Sequence, residues 1–126
     1  YLAGLDNFRL MELLMSLGIT SNDCIIADTG GGGDLRIAEL RLGCQYAPDG
    51  FYVLGAIKPA GSVNAGISAV KQHKVFITNN STNLINEYNS YAWALDKYKE
   101  PTDTPKDKDN HLLDALRYVV LSKNNI

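Results

Sequence analysis

The stretch Ile25-Ile26-Ala27-Asp28-Thr29-Gly30-Gly31-Gly32-Gly33-Asp34 carries two signals at once. Its apolar, β-branched start reads as a short buried strand, and the glycines read as the turn by which the chain leaves the sheet. Followed by a helix, it becomes the strand–turn–helix unit of α/β folds. Two chemistries compete for the turn. Glycines after a strand can cradle a phosphate, whereas an aspartate at a strand's carboxyl end can present a ligand or close the turn through its own backbone.

The phosphate reading fails at the start of the next helix. A P-loop needs a lysine there to reach the phosphates and a hydroxyl to hold magnesium. Here Gly33 is followed by Asp34-Leu35-Arg36, which puts a carboxylate where the phosphate would sit. The dinucleotide fingerprint fares no better, because no third-turn glycine leads into a helix. No nucleotide-binding residue is assigned, the glycines are read as a pliable turn, and Asp28 is left as the candidate.

Working outward, helix and strand patterns alternate. Asp6 caps a helix with Phe8, Leu10, Met11, Leu14, Met15 and Leu17 at helical spacing, stopped by Gly18. Residues 24–28 read as a strand. Residues 34–43 read as a helix capped by Asp34, with Leu35, Ala38 and Leu42 along one face. A strand over 50–57 and a helix over 63–73 come next, the helix capped by Ser62 and weakened by Gly66. Beyond them lie a strand over 74–78, a helix after Thr82 and a strand over 91–95. Residues 96–109, charged and with two prolines, read as a loop. The last helix spans about 110–122, with Leu112, Ala115, Leu116, Val119 and Val120 inward. The alternation predicts an α/β layer fold, at least partly parallel, whose ligand chemistry gathers at the carboxyl ends of strands.

Composition narrows the function. The 126 residues are 45% hydrophobic, enough for one domain spanning 1–126 around a single core. A formal charge of −2 provides no global basic field for nucleic acid, so any DNA contact must use a local patch or a neighbouring domain. Cys24 and Cys44 lack zinc-like spacing and read as two buried free thiols. No apolar run approaches the ~20 residues of a membrane span. The opening YLAGLDNFRL lacks a basic secretion-signal region, so a soluble intracellular protein is expected.

Two further constellations carry chemistry. His111 and Asp114, three residues apart, share one helical face and can turn an imidazole nitrogen and a carboxylate oxygen toward one metal ion. Asp109 and Asn110 can ligate or cap beside them. The structural alternative makes Asn110 a plain N-cap and Asp114 a first-turn acid opposing the helix dipole. Lys58, Lys71 and Lys74 bracket a segment in which Gly61-Ser62 opens a helix. They can contact DNA phosphates, or form a solvated helix face.

Four stretches, taken in order, resemble the C-terminal nuclease domain of the large terminase subunit of tailed phages and prophages. IIADTGGGGDLRIAELRLG is similar to that family's strand ending in Asp-Ser/Thr and the helix reading Ile-x-Glu-Leu. AIKPAGSVNAGISAVKQHKVFIT resembles its Lys-x-x-Gly-Ser-Ile/Val-x-x-Gly-Ile segment and following strand. NLINEYNSYAW looks like its Asn-Leu-x-x-Glu-x-x-x-Tyr-x-Trp passage, and DKDNHLLDALRY matches its Asn-His-x-x-Asp-Ala-x-Arg-Tyr close.

The resemblance implies a ribonuclease H-like mixed sheet flanked by helices. It also implies an endonuclease that cuts concatemeric double-stranded phage DNA during packaging, with magnesium or manganese, in the bacterial cytoplasm. Its partners would be the terminase small subunit and the portal. Carried over by position, Asp28 and Asp114 are the catalytic acids and metal ligands, with His111 beside Asp114. They would meet at one edge of the sheet, where converging carboxylates suit a metal pair ~4 Å apart. The sequence departs from the family in two places. The glycine run with Asp34 replaces Ala-Glu-Pro-Lys after the strand aspartate, and no Asp-x-Gly strand precedes Asp6. An N-terminally truncated domain is therefore expected, inactive or nearly so alone and prone to self-association through an exposed sheet edge. The alternative is a non-catalytic α/β binding or assembly module in which the acids are caps.

Overall fold

Asp6 begins the first element as its type predicts: its side chain accepts a hydrogen bond from the Arg9 amide at 2.8 Å and caps α1 (Asn7–Ser16). The computed structural model describes residues 4–108 and 110–123, so Asp109 lies outside the described residues. The chain divides into two compact units, one running to Ala56 and one beginning at Ile57.

The first unit continues with β1 (Cys24–Ala27), α2 (Gly33–Leu42) and β2 (Tyr52–Gly55). The strands pair in parallel, Cys24 opposite Tyr52 through Ala27 opposite Gly55, with α2 as the crossover that parallel neighbours require. Two bonds tie α2 to β2: the Phe51 amide donates to the Leu40 carbonyl and Arg41 Nε to the Val53 carbonyl, each at 2.9 Å. Met11, Ile37, Leu40, Ala47, Phe51 and Val53 form the core. The face Leu35–Ala38–Leu42 is exposed, because α2 lays Ile37 and Leu40 on β2 instead. Cys24 and Cys44 are free thiols, half-buried rather than buried.

The glycine run is a built turn. Gly31 and Gly32 take the left-handed conformation, φ 57° and 85°, and Gly32 rather than Asp34 is the N-cap of α2. Asp34 therefore sits inside the first turn. Gly33 has a different reason to be glycine: a Cβ there would lie 2.0 Å from the Asp28 carbonyl oxygen.

The second unit contains α3 (Ser62–Lys71), α4 (Thr82–Ser90), β3 (Trp93–Leu95), β4 (Pro101–Pro105) and α5 (His111–Ser122). Two strand expectations fail here. Residues 74–78 form no strand: no described strand pairs with them, and Phe76 stands 81% exposed. Conversely, part of the expected loop 96–109 is β4, antiparallel to β3 with Trp93 opposite Pro105 and Leu95 opposite Pro101. Asp96 closes this hairpin, its Oδ1 accepting from the amides of Tyr98 (2.8 Å) and Glu100 (3.0 Å). Proline at both strand ends hid β4 from a pattern reading, although edge strands tolerate it.

Helix α3 starts at its expected cap, one residue earlier than the sequence pattern places it. Gly61, at φ 76°, is the N-cap, and the Ser62 amide is already bonded to the Pro59 carbonyl at 3.0 Å. Ala115 and Val119 of α5 are exposed rather than inward; the buried residues of that helix are Arg117 and Ser122. The reason is the helix contact with α3. Gly66 is buried against Arg117, and a Cβ on it would stand 3.1 Å from the arginine Cβ and Cδ. Among the described residues, no helix is long and apolar enough to cross a membrane.

The two kinds of glycine in the β1–α2 turn should separate on substitution. Gly33→Ala should cost about 2 kcal/mol or more through collision with the Asp28 carbonyl, whereas Gly31→Asn, in open space, should cost about 1 kcal/mol or less. Urea unfolding midpoints of the two variants check the order.

Candidate functional site

Strand β1 delivers Asp28 to solvent one residue beyond its last pair. The side chain is exposed, and its Oδ1 accepts the Gly30 amide at 3.0 Å. This bond is the one expected of an aspartate that closes its own turn, and it holds the carboxylate against the turn.

Helix α5 brings His111 and Asp114 together in its first turn, in the second unit; Asp28 belongs to the first. The two residues differ in their surroundings. His111 is exposed. Asp114 is partly exposed and is paired through Oδ1 with Nη2 of Arg117, three residues on, whose side chain is 7% exposed. A buried guanidinium thus neutralises and orients a carboxylate whose other side meets water.

The start of α5 is held from outside the helix. Asn110 occupies the N-cap position without a side-chain cap bond; its Nδ2 donates instead to Asp107 Oδ1 at 3.4 Å. The missing acceptor comes from α4. Glu87, 4% exposed, accepts the amides of Leu112 (2.8 Å) and Leu113 (3.3 Å) on Oε1. Tyr91, next to this cluster, has its hydroxyl buried without a partner. Burial pushes its pKa up, Arg117 opposes that, and the negative charges of Asp114 and Asp107 add to it.

Sequence reasoning did not assign roles to Glu87, Arg117 or Tyr91. One signal was available: Glu87 stands three residues after Leu84 and four before Tyr91, an acid placed on an otherwise apolar helix face.

The four DNA-contact candidates fall at two ends of one helix. Ser62 is the first residue of α3 and Lys71 its last, about 13 Å apart along the axis. Lys58 precedes the helix, its Nζ 6.0 Å from the centre of the Tyr118 ring; Lys74 comes after it, 5.3 Å from the Phe76 ring. Lys71 also lines a cavity of about 590 Å³ together with His73, Tyr88, Tyr91, Trp93 and Arg117.

Taken unit by unit, the donor types suit a hard divalent ion: in the first a carboxylate that closes its own turn, in the second a carboxylate paired to a guanidinium with an imidazole three residues before it. Within neither unit, among the described residues, do three histidine, cysteine or acidic side chains group closely enough to hold a metal ion.

This α/β architecture is that of ribonuclease H-like nuclease domains. It is similar to the crystal structure of the g2p (large terminase) nuclease domain from the bacteriophage SPP1 with bound Mn, with a TM-score of 0.73 and 22% identity. The match covers 97% of this chain and 65% of that one, so the chain spans about two thirds of the solved domain's length. The family described as the terminase RNAseH-like domain matches residues 33–121, from the first residue of α2 into the last turn of α5. The chain belongs to that family. His111 and Asp114 lie inside the matched segment and Asp28 just before it. No curated protein sequence matches the chain.

The α5 cluster can be tested through stability. Asp114→Ala should destabilise by about 3 kcal/mol, because it leaves the Arg117 charge buried and unpaired, and Asp114→Ala/Arg117→Met should recover most of the loss in urea unfolding. Tyr91, raised above its ordinary 10.0, keeps its proton in the folded state after the unfolded chain has released it. Stability should therefore fall as pH rises above about 10 and through the folded-state value, and Tyr91→Phe should flatten that fall.

Proposed function

We propose that this chain is the nuclease portion of a phage or prophage large terminase subunit, a metal-dependent endonuclease that cuts concatemeric double-stranded DNA during packaging. Membership of the terminase RNAseH-like domain family, over a segment that includes His111 and Asp114, carries the reading. Asp28 and Asp114 act as the metal-ligating acids and His111 as the ligand beside Asp114. When bound, a pair of magnesium or manganese ions supplies an activated water and stabilises the leaving oxygen. The protein's own part is orientation. The Gly30 amide holds the Asp28 rotamer, and Arg117 holds Asp114.

Arg117 also sets the strength of the site. A cation must share Asp114 with a guanidinium already paired to it, and among the described residues no three histidine, cysteine or acidic side chains group closely enough to hold an ion. Metal binding by this chain is accordingly weak, and the chain alone is inactive or nearly so. In the parent protein, Lys58, Ser62, Lys71 and Lys74 contact the DNA backbone, and the small subunit and portal are the assembly partners in the bacterial cytoplasm. The outer edge of the β1–β2 pair offers a surface for self-association.

A second reading draws on one observation: Asp28 closes a turn and Asp114 pairs with Arg117, so each acid has a structural task without metal. It makes the chain a non-catalytic α/β binding or assembly module.

Calorimetric titration of manganese into wild type and Asp28→Ala/Asp114→Ala decides between them. Weak binding in wild type that disappears in the double variant supports the nuclease reading; equal, negligible heat in both rejects it. Light scattering at high concentration should show species larger than the monomer, and a strictly monomeric solution would remove the self-association claim.

A further inference from the structure

Helix α5 could have been capped by its own N-cap residue and is not. Asparagine is among the best N-cap residues, yet the Asn110 side chain makes no cap bond. The chain uses a carboxylate from another helix, 25 residues earlier in sequence, and buries it to 4% exposure. This is a costly solution. Only Oε1 of Glu87 is satisfied; Oε2 is buried without a hydrogen-bond partner.

A local cap would satisfy the same amides without linking the start of α5 to anything else. The remote cap does link it. Leu112 and Leu113 stand between His111 and Asp114, so the two amides that Glu87 holds belong to the turn that presents both residues. From the other side, Arg117 fixes the Asp114 carboxylate and is itself packed under Gly66 of α3. The first turn of α5 is thus gripped by α4 through its backbone and by α3 through Arg117.

We propose that Glu87 is the positioning residue for the His111–Asp114 end of the site: by holding the Leu112 and Leu113 amides it fixes the turn on which both ligands stand. The inference rests on the metal-site reading above. It treats Glu87 as acting through the helix backbone, with no contact to metal or DNA.

Glu87→Ala, Glu87→Gln and Leu121→Ala, the last in the same helix but beyond the first turn, separate positioning from general stability. Amide hydrogen exchange reads the turn, and manganese calorimetry reads the ligands. Glu87→Ala should speed exchange at Leu112 and Leu113 and weaken manganese binding by about tenfold or more, the usual effect of losing a group that orients a ligand. Glu87→Gln keeps a carbonyl oxygen in place and should restore both readings. Leu121→Ala should lower the melting temperature while leaving both near wild type.

Unchanged manganese affinity in Glu87→Ala, with wild type binding normally, overturns the positioning role and leaves the metal site standing. Restored amide protection without restored affinity in Glu87→Gln also overturns it, because the charge would then act on the metal directly. Absence of binding in wild type rejects the metal-site reading and the positioning role with it; faster exchange in Glu87→Ala would then mark the residue as a helix cap alone.

Discussion

Arg117 is the side chain around which the second unit is arranged. A guanidinium cannot shed its charge at any pH a protein experiences, so burying it requires an anion at its tip and close packing along its stem. Asp114 supplies the first, three residues back on the same helix. The second comes from α3, which lies against α5 where position 66 has no side chain. That contact decides which face of α5 is turned inward, and it leaves Ala115 and Val119 in water although both are apolar.

Much of the fold was legible because its signals are local. The cap at Asp6, the strand before the glycines and the last helix each depend on residue types within a few positions of one another. The failures share a cause of the opposite kind. Residues 74–78 have strand composition, but a strand exists only with a partner, and pairing is not written in the segment itself. Strand β4 carries two prolines and acidic neighbours, and is a strand because β3 lies beside it. Asp34 has the residue type of a cap, yet the left-handed glycine before Gly33 sets where α2 begins.

The candidate site divides along the same line. Asp28, His111 and Asp114 stand out as candidates by residue type and spacing, and the family resemblance is what gives them roles. The residues that hold them do not stand out. Glu87 reaches its amides across 25 positions, and the burial that makes Arg117 consequential appears only when α3 is packed on it. Gly66 shows the limit most clearly: read along the helix it is a weakness, and read across to α5 it is the condition for the contact.

The prolines of β4 have a consequence for how the molecule can grow. Pro101 and Pro105 are two of the strand's five residues, and neither has an amide hydrogen to offer a strand on either side. The hairpin therefore makes a poor template for edge-to-edge addition, whereas β1 and β2 contain no proline in either strand. The self-association proposed above would therefore run through the parallel pair that ends at Asp28 rather than through the hairpin.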